Sequence, residues 1–143
     1  MRLPIPVRWF WTSVTAIAIA GGALGAQTSG GASSAAPGIY SSEQAARGAR
    51  LFDERCGACH TIEQFTGPAF ILSWGGQSAL GLFTLIRTTM PQGSPASLKR
   101  QEYADILAYV LRENGLPPGP NELSGTDAAL KKTMIEMPKE SSR

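Results

Sequence analysis

Cys56-Gly57-Ala58-Cys59-His60 (CGACH) is the stretch that decides the fold. It contains both cysteines and the single histidine of the 143-residue chain. The spacing C-x-x-C-H is the signature of c-type haem attachment, in which each thiol bonds one vinyl-derived carbon of the porphyrin and the histidine comes under the iron. The motif therefore predicts one covalently bound haem c, attached through Cys56 and Cys59, with His60 as an iron ligand.

Two other chemistries use the same residue types. A disulfide or a thioredoxin-like dithiol normally lies at a strand-to-helix junction, and this chain has no convincing strand alternation. A zinc site would need a carboxylate in addition to the two cysteines and one histidine, and there is no second C-x-x-C. Haem attachment is the favoured interpretation.

Residues 1–26 have the layout of a secretory signal peptide. Arg2 and Arg8 form a basic start, residues 9–20 are mostly apolar, and residues 23–25 are a small-x-small site. The apolar stretch is shorter than the ~20 residues of a membrane-spanning helix, so we expect cleavage, with an uncleaved N-terminal anchor as the alternative. The following domain is then exported to the periplasm, and it is tethered to the membrane only if this segment is retained.

The net positive charge of the chain comes from this N-terminal segment. The sequence has 13 lysines and arginines against 11 acids, and two of the basic residues but none of the acids lie in residues 1–26. The remainder is formally neutral and has no basic stripe of the kind that binds nucleic acid. We expect no nucleic-acid partner and only weak steering by net charge.

The rest of the chain predicts an all-α fold. Residues 27–38 are rich in Gly, Ser and Ala, a composition that predicts a flexible linker. A domain follows at residues 39–119, and residues 120–143 form a C-terminal extension that either wraps the domain or docks a partner. Residues 61–77 predict a loop with at most a short turn. Apolar periodicity and capping residues predict helices near residues 41–55, 79–88, 98–114 and 124–134. Ser41 with Gln44 fits a capping box at the start of the first helix, and Ser124 is the expected cap of the last.

The single histidine also restricts the second axial position of the iron. It excludes bis-histidine ligation within one protomer and leaves methionine, lysine, a weaker group or water. Met90 lies thirty residues after His60 in the segment MPQGSPA, between two predicted helices and among rigid, polar neighbours that are untypical of a core stripe. Thioether ligation favours reduced iron and raises the potential. We predict Met90 as the sixth ligand.

From Ser41 to Gly119 the sequence resembles a class I c-type cytochrome with one haem. Within that family it resembles small bacterial cytochromes associated with quinoprotein (PQQ-dependent) dehydrogenases. The matching features, besides CGACH, are Ala45-Arg47-Gly48 and Phe52 before it, Gly67-Pro68, the MPQGSP segment at Met90, and EYADILAYVLRENGLP from Glu102.

The resemblance implies a small cytochrome c fold, with three main helices plus short helices and loops around one haem. It implies an electron carrier rather than an enzyme, with a dehydrogenase as donor and an oxidase or another cytochrome as acceptor. A permanent cytochrome subunit of a dehydrogenase complex is the alternative. A haem enzyme or gas sensor with a labile sixth site is disfavoured by Met90.

The resemblance also assigns roles to individual residues. Pro68 would help to orient the proximal His60, because a ligating histidine needs an acceptor for its other ring N–H. Gly48 would let the first helix cross closely against the last. Trp74 and Arg87 carry N–H donors that suit the haem pocket or a propionate.

Overall fold

The computed structural model describes residues 38–137, and within them the fold is all-α, as predicted. The only β feature in this part of the chain is an isolated bridge between Ser78 and Met134. The signal-peptide prediction and nearly all of the linker fall on residues 1–37, outside the described range. The helices are α1 (Ser42–Arg55), α2 (Pro68–Trp74), α3 (Ala79–Thr89), α4 (Arg100–Glu113) and α5 (Asp127–Lys132), with a 3₁₀ turn at Ile62–Phe65.

No helix among residues 38–137 is both long enough and apolar enough to cross a membrane.

Helix α1 begins at its predicted cap, but only half of the expected capping box forms. The Ser41 hydroxyl accepts a hydrogen bond from the Gln44 amide (3.1 Å). The Gln44 side chain turns inward, where its amide nitrogen donates to Asp105 (3.0 Å) and to the Leu123 carbonyl (2.8 Å). Gln44 is fully buried, so these partners replace the water that it loses.

The crossing of α1 over α4 depends on Gly48. A Cβ atom built at this position would lie 1.8 Å from the Asp105 carbonyl oxygen and 3.0 Å from the Tyr109 Cβ. The two backbones can approach this closely only where α1 carries no side chain. The expectation that Gly48 lets the first helix cross closely against the last main helix is confirmed.

The prediction that residues 61–77 form a loop is wrong, because this segment contains the 3₁₀ turn and α2. Pro68 occupies the first position of α2, where a proline ring is suitable because no intrahelical partner is needed for its missing N–H. The Gly and Pro residues that indicated a loop therefore mark the ends of a short helix.

The last predicted helix is shorter than expected. It runs over Asp127–Lys132 and begins after Thr126, whereas Ser124 was the expected cap. The Ser124 hydroxyl instead accepts a hydrogen bond from the Thr126 amide (3.3 Å), which places Ser124 in the turn before the helix.

The described part of the C-terminal extension packs on the domain. Leu123, Leu130 and Ile135 are at most 2% exposed and join the hydrophobic core. The Gly76 amide donates to the Ile135 carbonyl (2.9 Å), and the Ile135 amide donates to the Gln77 carbonyl (2.8 Å). Residues 120–137 therefore wrap the domain, and docking of a partner by the extension stays a prediction.

Candidate haem site

A cavity of about 360 Å³ lies among α1, the 3₁₀ turn, α2, α3 and α4. This volume is within the ~300–1,000 Å³ that is usual for cofactor sites, which are mostly apolar with a few polar groups. The lining of this cavity is likewise mostly apolar, with a few polar side chains. Its residues are Phe52, Cys56, His60, Gln64, Phe65, Ala69, Phe70, Ser73, Trp74, Leu82, Leu85, Ile86, Thr89, Met90, Ile106 and Val110.

The CGACH motif forms a tight turn at the end of α1. The Cys56 amide donates to the Phe52 carbonyl (2.8 Å), and the His60 amide donates to the Cys56 carbonyl (2.9 Å). Gly57 is required here, because an added Cβ would lie 2.7 Å from the Asp53 carbonyl oxygen. The turn brings the end of the motif back toward its beginning, so that Cys56 and His60 line the same cavity.

The two cysteines differ in exposure and are not bonded to each other. Cys56 is half-buried and lines the cavity, and burial raises the pKa of its thiol, whereas Cys59 is exposed and lies outside the lining. The motif follows a helix rather than a strand, which removes the structural context of a dithiol oxidoreductase. Residues 38–137 also contain no group of three or more His, Cys, Asp or Glu side chains that could hold a metal ion.

His60 has a side-chain partner that the sequence analysis missed. Its Nδ1 lies 3.1 Å from the Gln64 Oε1, and its ring meets the Phe65 ring edge-on at a centroid distance of 5.2 Å. The 3₁₀ turn brings Gln64 to this position, and the four-residue spacing from His60 was the only sequence signal for it. The role of Pro68 in orienting His60 stays a prediction, since Pro68 lies at the start of α2 and outside the cavity lining.

Met90 lies at the C-terminal end of α3 and lines the cavity with His60. Its amide donates to the Ile86 carbonyl (2.9 Å) and so closes the last turn of the helix. Its carbonyl accepts a hydrogen bond from the Tyr103 hydroxyl (2.8 Å). The methionine that was singled out from the sequence is therefore part of the same site as the attachment motif.

Trp74 and Arg87, the two predicted pocket donors, are placed differently. Trp74 is half-buried and lines the cavity. Arg87 is not part of the lining, but its Nε atom is buried and has no hydrogen-bond partner among the described residues. A buried N–H without a partner is costly, and a carboxylate acceptor such as a propionate would satisfy it.

The residues fit a haem in their apolar character and in their chemistry. The cavity walls are apolar, and Leu85, which lines the cavity, is 50% exposed, so a planar apolar group seated there would cover it. The donor set at the walls is a thiol, an imidazole and a thioether, from Cys56, His60 and Met90. These are the groups that attach and ligate haem in c-type cytochromes.

Residues 43–110 match the family described as "Cytochrome C oxidase, cbb3-type, subunit III". The matched segment runs from α1 into α4 and contains Cys56, Cys59, His60 and Met90. No curated protein and no solved structure matches the chain.

The match and the helical architecture together define a c-type cytochrome domain with a small all-α cytochrome c fold. Its cofactor is haem c, bound covalently, with its iron. A protein of this class binds haem and transfers electrons to and from other redox proteins.

Proposed function

We propose that the protein is a periplasmic carrier of single electrons, with His60 and Met90 as the axial ligands of one haem c. The observation that supports this most directly is that Cys56, His60 and Met90 converge on one apolar cavity. The bound haem supplies the ferrous–ferric couple. The chain supplies covalent attachment, both axial ligands and apolar walls that limit the access of water.

Occupation of both axial positions of the haem iron by protein ligands favours electron transfer over catalysis. With an imidazole and a thioether both committed to the iron, no position is left for oxygen, peroxide or an organic substrate. His60 is held by Gln64 and Phe65, and Met90 is held at the end of α3, so each ligand belongs to an ordered part of the fold. Ligands held in this way would move little when a bound iron changes oxidation state, which favours electron transfer.

The predicted export signal supports the cellular role. We propose that the N-terminal segment directs the domain to the periplasm, and that it serves as a membrane tether where it is retained. The proposed donor is a dehydrogenase, of the quinoprotein class by sequence resemblance, and the acceptor is an oxidase or another cytochrome of a respiratory chain. Partner encounters are brief and use a small interface, as is usual between redox proteins.

The Met90→Ala variant tests the axial assignment. We expect it to keep covalent haem but to lose the weak red absorption band of ferric iron–thioether ligation. The midpoint potential should fall by a sizeable part of the ~0.8 V range over which axial ligands set haem potentials. The ferrous variant should also bind carbon monoxide. Visible spectra, redox titration and carbon monoxide binding measure the three effects.

Met134→Ala is the matched control for this experiment. Met134 lies in the C-terminal extension, is 40% exposed and is not part of the cavity lining. Its variant should behave like the parent protein in all three measurements. An unchanged spectrum in Met90→Ala, or a lost band in Met134→Ala, would remove Met90 from the ligand set.

A second candidate function is that of a permanent cytochrome subunit in a redox complex. It is favoured by the description of the matched family, which names a subunit of an oxidase. A free carrier should elute at the size of the monomer when it is purified from native periplasm or solubilised membrane. A dehydrogenase or oxidase that copurifies at fixed stoichiometry through size exclusion would favour the subunit.

A further inference from the structure

Tyr103 is a core residue of α4 whose hydroxyl is placed against the Met90 segment. The side chain is 1% exposed, and its ring packs edge-on against Phe83 at a centroid distance of 6.2 Å. A tyrosine this deeply buried needs a partner for its hydroxyl, because an unpaired buried polar group is costly.

The Tyr103 hydroxyl contacts both ends of the segment that connects α3 to α4, with a normal hydrogen bond at Met90 and a long, weak one at Leu98. It donates to the Met90 carbonyl (2.8 Å) and accepts from the Leu98 amide (3.5 Å). No other side chain in residues 38–137 forms a hydrogen bond with the backbone of residues 90–98. The remaining hydrogen bonds of this segment are local backbone ones, such as that from the Ala96 amide to the Arg87 carbonyl (2.9 Å).

Burial does little to hold the segment in place. Residues 92–97 are all exposed, and within residues 92–98 only Leu98, at the far end, is a partly buried residue packed against the core. A segment with few buried contacts opens at low free-energy cost, and opening would carry Met90 away from the cavity. The hydroxyl of Tyr103 is therefore the one described side-chain link between the rigid core and the position of the Met90 backbone.

We propose that Tyr103 is a positioning residue for the Met90 ligand: its buried hydroxyl clamps both ends of the connecting segment and keeps the thioether at the cavity. This inference rests on the proposed His60/Met90 ligation. Tyr103 acts through the Met90 backbone and does not itself line the cavity. Its effect is on the fraction of molecules in which Met90 is displaced.

The Tyr103→Phe variant of the haem-loaded, full-length protein tests the proposal. Removal of one net hydrogen bond of about 1 kcal/mol makes displacement of Met90 easier by roughly 5-fold to 10-fold. Added imidazole binds ferric iron only when Met90 has left, so its apparent affinity should rise by the same factor. Imidazole titration, followed by the loss of the red thioether band, measures the change.

Two controls separate positioning from general destabilisation. Tyr109→Phe removes a hydroxyl from the same helix, and that hydroxyl has no hydrogen bond among the described residues, so imidazole affinity should stay at the parent value. Leu111→Val creates a small defect at a fully buried α4 position outside the cavity lining, which should lower the urea midpoint of unfolding without changing imidazole affinity.

The outcomes distinguish this inference from the proposed function. If the parent protein has no thioether band, or Met90→Ala keeps one, the ligation itself fails. If the parent has the band and Met90→Ala loses it, but Tyr103→Phe binds imidazole as the parent does, the positioning role of Tyr103 is overturned. Equal gains in affinity for Tyr103→Phe and Leu111→Val would overturn it as well.

Discussion

Replacing Cys56 and Cys59 together with alanine is expected to yield a chain that retains no haem after denaturation and does not fold stably. They are the only cysteines in the sequence, so no other thiol can attach the porphyrin. The described domain surrounds a cavity of about 360 Å³, and the apolar walls of that cavity need a partner. Small domains bury a smaller fraction of their surface than large ones do, so the loss of a cofactor that fills the core removes a large part of their stability.

The measurement is a haem stain after denaturing electrophoresis, combined with a helical circular dichroism signal followed through thermal unfolding. The double variant should be negative for the stain and should lose most of its helical signal at the temperature where the parent is folded. Cys59→Ala alone is the matched control, because Cys56 lines the cavity and can still form one thioether bond. Haem that remains with the denatured double variant would contradict covalent attachment at this motif.

Gly48→Ala is expected to lower the free energy of unfolding by about 3 kcal/mol or more. The added Cβ would lie 1.8 Å from the Asp105 carbonyl oxygen, so α1 and α4 must move apart. That movement would disturb the polar network at the crossing, in which Arg47 donates to Asp105 (3.1 Å) and to Glu122 (2.9 Å). It would also disturb the buried contacts of Gln44.

A second helical glycine provides a control for which the expected change in stability has the opposite sign. At Gly81, in α3, an added Cβ would meet only the Trp74 ring at 3.4 Å, an ordinary contact. Alanine is a better helix former than glycine by up to about 1 kcal/mol, so Gly81→Ala should leave stability equal or higher. Urea unfolding of the haem-loaded proteins compares the two variants. Similar unfolding midpoints would contradict the requirement for glycine at the helix crossing.

Local patterns were sufficient to predict the fold class, three of the helices, and Cys56, His60 and Met90 as residues of one site, all three of which line the cavity. C-x-x-C-H is a short, rigid signature, and the single histidine reduces the choice of a second ligand to a few residue types. The periodic apolar residues of α3 and α4, and the serine cap of α1, depend on neighbours within one or two turns. Such features are readable from sequence because their energetics are local.

The features that were missed depend on contacts that are distant in sequence. Gln44 was expected to complete a local capping box, but its side chain instead bonds Asp105 and Leu123, 61 and 79 positions away. The clamp formed by Tyr103 likewise joins α4 to the end of α3. The helix that begins at Pro68 was missed because glycine and proline mark both loops and helix ends. The contacts of Gln44 and Tyr103 required the tertiary packing to be known, whereas the helix at Pro68 was missed because its local signals have two meanings.

The most direct test of the His60/Met90 assignment is a proton NMR spectrum of the ferrous protein. A methionine bound to low-spin iron has its methyl group directly over the porphyrin ring, and the ring current shifts that resonance far upfield of the protein envelope. We expect one such three-proton methyl signal in the parent protein and none in Met90→Ala. A ferrous spectrum without an upfield methyl signal, or one that keeps it after Met90 is replaced, would contradict the closed haem site on which the electron-carrier account depends.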